Sequence, residues 1–207
     1  MFFDFSTVSP LDRYHLMIQS IIPRPIAWAL TKNENKSLNL APFSYFNAIH
    51  SNPPLVMMSI GYKQDKTKKD TRANIERHKK FVINIPSTEH AELVTSTSLS
   101  LDAGESEVDL NNLETINDWP NFELPRIKGI KIAIACRLDR VIEVGRNNQG
   151  LIFGEIEHLF VDDAICEVGD RIKIDAAAMA PLGRLGGNDY AIFGDVKTVP
   201  RPEYKPT

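Results

Sequence analysis

The sequence predicts a mainly β (α+β) fold, an antiparallel barrel or sandwich, on three observations. Apolar runs of strand length recur: Ile26–Thr31, Leu55–Ile60, Phe81–Ile85, Ile130–Leu138 and Leu151–Phe160. Short turn-forming stretches join them, with Asn33–Asn35 and Asn147–Gly150 the clearest. Few helical patterns lie between, and no Gly-rich dinucleotide fingerprint follows any strand, which disfavours a parallel Rossmann sheet.

A chain of 207 residues can bury about 70% of its unfolded surface. One domain over residues 1–207 is expected, with an N-terminal arm at 1–20 and an extended C-terminal tail at 197–207. The net charge of -3 provides no basic footprint for nucleic acid or an anionic membrane. The N-terminus lacks a basic n-region and no stretch is long enough to span a bilayer, so a cytoplasmic protein is expected. Cys136 and Cys166 have no partner at ligand spacing and read as reduced, buried or semi-buried residues. The five histidines are scattered without metal spacing, and no Gly-x-Ser-x-Gly or Cys/His dyad is found. No metal site and no catalytic acid, base or nucleophile is expected.

In chain order, residues 1–20 predict an extended arm with at most a short turn of helix. Pro23-Arg24-Pro25 stiffens the approach to the first strand, and Ser37–Ala41 is its returning hairpin mate. Pro53-Pro54 forbids helix and leads into a strand buried on both faces. Residues 61–69 are charged. Thr71–Lys79 suits a short amphipathic helix with Asp70 as N-cap, and a second short helix follows Thr88. The acidic stretch 102–112 reads as a solvated loop, because nothing apolar surrounds its carboxylates to raise a pKa. Gly154 inside its strand points to a bulge or a close backbone approach. Residues 180–187 are loop by composition, with Arg184 either bonding loop carbonyls or standing near a ligand or the seam with another chain, and Tyr190 and Phe193 packing.

The window from Asn39 to Thr71 carries the chemistry. Ser44 and Tyr45 lie in a Pro- and aromatic-rich turn where hydroxyls and N–H groups can face a ligand. Ser59 closes an apolar strand. Lys68, Lys69, Asp70 and Thr71 read as a helix start, where unpaired N–H groups and the dipole favour an anion. Together they describe a phosphate pocket beside an aromatic wall, suited to a phosphorylated planar cofactor.

Asn39-Leu-Ala-Pro-Phe-Ser-Tyr-Phe-Asn47, the Lys69-Asp70-Thr71 triplet with Asn74, and Arg184-Leu-Gly-Gly-Asn-Asp-Tyr190 resemble the signature blocks of the flavin reductase-like family of FMN-binding split-barrel proteins. The blocks stand in that family's order and spacing, and the resemblance covers roughly residues 20–193. It implies a six-stranded antiparallel Greek-key split β-barrel with short flanking helices, a homodimer, and FMN near the interface. The implied cofactor-binding residues are Ala41, Pro42, Ser44, Tyr45, Phe46, Asn47, Ser59, Ile60, Gly61, Lys69, Asp70, Thr71 and Arg184. The implied activity is an FMN-dependent NAD(P)H:flavin oxidoreductase using NADH or NADPH and serving a monooxygenase or electron-transfer partner. Alternatives are a flavoredoxin-like FMN electron carrier or sensor without nicotinamide oxidation, and an oxidase of a phosphorylated pyridine. The chain departs from the family at Trp28 and in the lysine-rich 63–69 loop, on the nicotinamide side.

Overall fold

Alternation along Ala27–Lys32 (β1) shows how the sheet is built: Ala27 and Ala29 face one apolar cluster, Trp28 and Leu30 another. Lys80–Ile85 repeats the pattern, with Phe81 and Ile83 inside and Val82 outside. The computed structural model describes residues 1–202. The remaining strands are β2 Leu38–Phe43, β3 Phe46–Ser51, β4 Pro54–Ile60, β5 Lys80–Ile85, β6 Ile132–Val144 and β7 Gln149–Val161. They pair antiparallel in the order β2-β1-β5-β6-β7-β4-β3.

This order forces closure. β2 and β3 lie at opposite edges of the sheet, yet only Ser44 and Tyr45 link them. Three Cα–Cα steps from Phe43 to Phe46 span at most about 11 Å, so the edges must come together there, and Ser59 N–H donates to the Tyr45 carbonyl at 2.9 Å, carrying the β3–β4 ladder up to the turn. The non-sequential neighbours β1–β5 and β7–β4 give the Greek-key crossing. The main sheet has seven strands rather than the six expected. The extra strand is β3, which no strand pattern in the sequence marks, because the segment is exposed along most of its length and carries no apolar alternation.

Inside the barrel, Met58, Ile60, Phe81, Ile83, Cys136 and Ile152 pack together, and Ile75 joins them from a helix at one end. Outside, Trp28, Leu40 and Val82 are covered by Val94, Val108, Phe122 and Leu124. Burial raises the Cys136 thiol well above its ordinary range. Gly154 shows both expected features: the β6–β7 register slips at Phe153/Gly154, and a Cβ there would overlap the Phe81 ring.

The expected N-terminal arm is instead an eleven-residue helix, α1 (Pro10–Ser20). Ser9 caps it by accepting the Asp12 N–H at 3.1 Å, and Pro10 suits its first position. Helix α2 (Asp70–His78) begins one residue earlier than read, with Lys69 rather than Asp70 as N-cap. Asp70 is taken by Lys63 at 2.8 Å instead. A 3-10 turn at Thr88–His90, capped by Ser87 rather than Thr88, leads into α3 (Ala91–Ser96). The acidic stretch holds a one-turn helix, α4 (Glu107–Leu110), capped by Ser106. There the expectation of solvated carboxylates fails, because Val108 enters the outer cluster and draws Glu107 to 6% exposure. Near the C-terminus Gly183–Arg184 pairs with Arg24–Pro25, so the 180–187 segment is partly sheet. Residues 197–202 form no regular element, and Pro206 lies outside the described residues. No helix among them is long and apolar enough to cross a membrane. No cluster among them could hold a metal ion.

Candidate functional site

Closure of the sheet at Ser44–Tyr45 turns a short link into one wall of a cavity of about 890 Å³. Pro42, Phe43, Ser44 and Tyr45 line one side, with Tyr14 and Ile18 of α1 beside them. Ser59 and Gly61 continue the wall from β4, and the 146–149 turn between β6 and β7 closes the opposite side. Among the described residues four cations line it, Lys63, Lys66, Lys69 and Arg146, and no carboxylate does.

The turn is held by Arg24, which the sequence reading did not single out. Its guanidinium is 6% exposed and donates to Ser44 Oγ at 3.2 Å and to the carbonyls of Ile21 at 3.0 Å and Leu185 at 2.9 Å, and also to Ile18. One side chain thereby ties α1, the β2–β3 turn and the C-terminal loop together. Burial of this guanidinium lowers its pKa, and burial of the neighbouring Tyr45 phenol raises that group's. Since Ser44 Oγ accepts from Arg24, its own proton is free to be donated elsewhere.

Lys69 projects from the α2 N-cap over the Phe43 ring, 5.8 Å from its centroid, and has no carboxylate within salt-bridge distance among the described residues. The free N–H groups of the first turn of α2 begin at the same place. Lys68, expected beside it, turns away and pairs with Glu76. On the next turn Arg72 is buried, donating to Glu76 at 2.9 Å, to the Asn148 carbonyl at 3.2 Å and to Glu143, and its guanidinium lies 5.0 Å from the Tyr62 ring centroid. This clamp fixes the 146–149 turn against α2, and a Cβ at Gly150 would press on the Arg72 guanidinium at 2.8 Å. Gln149 then reaches Ser59 Oγ at 3.0 Å.

A second cavity of about 350 Å³ adjoins the first, sharing Pro42, Phe43, Tyr62, Lys63 and Lys69. Ala41, Asp70 and Thr71 line it, with Glu107. Thr71 is buried and accepts from Asn39 Nδ2 at 3.0 Å, while Glu107 accepts the Leu40 N–H at 2.9 Å. Burial raises the pKa of Glu107, opposed by that hydrogen bond. A third cleft of about 270 Å³ lies across Phe43 and Ser44 and is lined by Arg184, Tyr190 and Thr95. Arg184 bonds the Asp189 carbonyl at 3.1 Å and that of Gly187 while stacking 4.7 Å from the Tyr190 centroid.

Of the residues singled out in the sequence, Pro42, Ser44, Tyr45, Ser59, Gly61 and Lys69 share the large cavity. Ala41, Asp70 and Thr71 border its neighbour, and Arg184 the small cleft. Three do not meet them. Ile60 is fully buried in the barrel, Phe46 packs on its inner cluster, and Asn47 is exposed on β3, bonding the Ala48 N–H. Tyr14, Lys66 and Arg146 come to the cavity without having been expected, and no local motif flags them.

The model of the flavin reductase like domain matches residues 19–168. The chain belongs to the flavin reductase-like family. Among solved structures, this family member resembles nitrilotriacetate monooxygenase component B from Bacillus cereus, at 30% identity and TM-score 0.88 over 96% of this chain and 98% of the other. It resembles 2-nitrobenzoate 2-nitroreductase NbaA of Pseudomonas fluorescens at 26% identity and TM-score 0.88, over 100% and 99%. A protein with a split barrel domain from Shewanella frigidimarina matches in fold, with TM-score 0.82 and 22% identity over 98% and 100%. The flavin reductase-like chain is thus a split barrel of antiparallel strands.

Proposed function

We propose that residues 1–207 form one FMN-binding unit that acts as an NAD(P)H:flavin oxidoreductase, passing reducing equivalents from a nicotinamide to flavin or a partner. One observation carries the reading: a lysine at a helix start, with no acidic partner among the described residues, faces a roomy cavity with an aromatic wall. The donor set suits FMN. A phosphate of about -1.5 to -2 charge meets Lys69 and the α2 N–H groups, and Thr71 and Ser59 flank that end. The Ser44 hydroxyl and the backbone around Tyr45 face the polar edge of a ring, and Phe43 and Pro42 keep water from it. Bound flavin supplies the redox chemistry. The chain's part is to hold and orient, so no catalytic acid or base is assigned.

The resemblance to a monooxygenase component supports delivery of reduced flavin to an oxygenase partner. The exposed Leu11, Tyr14, Met17, Ile21 and Ile22 around α1 support pairing with a second copy of the chain, a homodimer. Two free cysteines suit a cytoplasmic setting.

The test is the absorbance spectrum of the purified protein followed by anaerobic mixing. Co-purified or added FMN should bind and bleach with NADH or NADPH. FMN that stays yellow under excess of both would replace the reductase with an electron carrier, and turnover of pyridoxine phosphate would replace it with an oxidase of a phosphorylated pyridine.

A further inference from the structure

The large cavity holds more positive charge than one flavin phosphate uses. Of its four cations, Lys63 is neutralised by Asp70 at 2.8 Å. Lys69 and the α2 N-terminus match a single phosphomonoester. Lys66 and Arg146 remain, both exposed at the rim and both without an acidic partner among the described residues. The nearby acids are committed elsewhere. Asp65 accepts from Thr67 N and Oγ1 at 2.9 and 2.6 Å, and Glu143 accepts from Arg72 and from Tyr62 at 3.2 Å.

We infer that Lys66 and Arg146 form a second phosphate subsite that selects NADPH over NADH through its adenosine 2′-phosphate; the inference rests on the nicotinamide-dependent reading proposed above. Selection for NADH calls for a carboxylate, which accepts from the ribose hydroxyls and repels a phosphate there, whereas selection for NADPH calls for a cation. Among the described residues that line the cavity, the ionic groups are cations only. Both are held in place from below. Lys66 sits in a turn with φ of 66° whose N–H donates to the Lys63 carbonyl at 3.0 Å. Arg146 is carried on the turn that Arg72 clamps through the Asn148 carbonyl at 3.2 Å. At about 890 Å³ the cavity lies near the top of the range for small-molecule sites, roughly 300–1,000 Å³, so a flavin leaves part of the rim for a second ligand's phosphate.

The experiment is calorimetric titration of the FMN-loaded full chain with 2′,5′-ADP and with 5′-AMP, which differ by the phosphate in question. The expected result is 2′,5′-ADP binding at least about tenfold tighter, a difference of about 1.4 kcal/mol. In Lys66→Ala plus Arg146→Ala the two probes should come within about twofold of each other, with FMN affinity unchanged. Equal affinity for the two probes in the parent protein, or an equal loss for both in the variant, overturns the inference. So does FAD displacing FMN with an affinity that Arg146→Ala abolishes while the preference for 2′,5′-ADP survives, because the extra phosphate would then belong to the flavin. Failure of the reductase reading is distinct: FMN stays yellow under NADPH while the probes are still discriminated, which retains the subsite.

Discussion

Lys69 and Arg72 stand three residues apart at the start of α2, and the fold puts the two cations to opposite uses. The Arg72 side chain is 1% exposed, and its guanidinium is engaged by two glutamates, a carbonyl and an aromatic ring. Lys69 faces a cavity and a phenylalanine ring, with no carboxylate in reach among the described residues. A cation already matched by acids has spent its attraction on the fold. One facing only a ring keeps it for an incoming anion. Free charge rather than charge as such therefore marks the site.

The largest expected effect comes from breaking the structural member of the pair. Arg72→Met should destabilise by about 2–3 kcal/mol, near the low end for breaking a buried pair because both glutamates keep contact with water. At roughly 2–4 °C per kcal/mol, calorimetry should register a Tm fall of several degrees. An unchanged Tm would show that the clamp on the 146–149 turn is not structural. Next comes the binding member: Lys69→Ala together with Thr71→Ala should weaken FMN, each charged contact being worth about 1.5–3 kcal/mol. Fluorescence titration measures it, and an unaltered FMN affinity would place the phosphate elsewhere.

Glu107 sharpens the contrast from the acidic side. Burial raises its folded pKa above the unfolded value, so the folded state binds the extra proton and stability falls as pH rises through that interval. Denaturant titrations from acid to neutral pH should give a flatter profile for Glu107→Gln than for the parent. The smallest effect is expected at Lys68→Ala, which removes a partly exposed pair with Glu76, a carboxylate that Arg72 still holds. It should cost under about 1 kcal/mol and leave FMN binding untouched, unlike its neighbour.

The parts of the molecule legible in the sequence are those decided by neighbours in the chain. The alternation of β1 and β5, the bulge at Gly154 and a turn between β6 and β7 follow from local pattern, though that turn occupies residues 145–148 rather than Asn147–Gly150. Helix α1 escaped the reading, although Ser9-Pro10-Leu11-Asp12 is a local signature of a capped helix start. Strand β3 escaped because an exposed edge needs no apolar face, and Glu107 because its burial depends on β2 and the outer cluster, distant in sequence. The site divides the same way. Ser44, Ser59 and Lys69 lie within one window and meet in one cavity, whereas Arg24 and Arg146 reach it only once the sheet has closed.

The slip at Gly154 falls where β7 is paired on both sides, to β6 and to β4, so the bulge bends the barrel wall itself rather than a free arm. The Phe81 ring occupies the space that a side chain at Gly154 would take, and Ile152 packs in the same inner cluster. A methyl group added there would thus be felt first in the tightly packed interior and only through it at the cavity beyond.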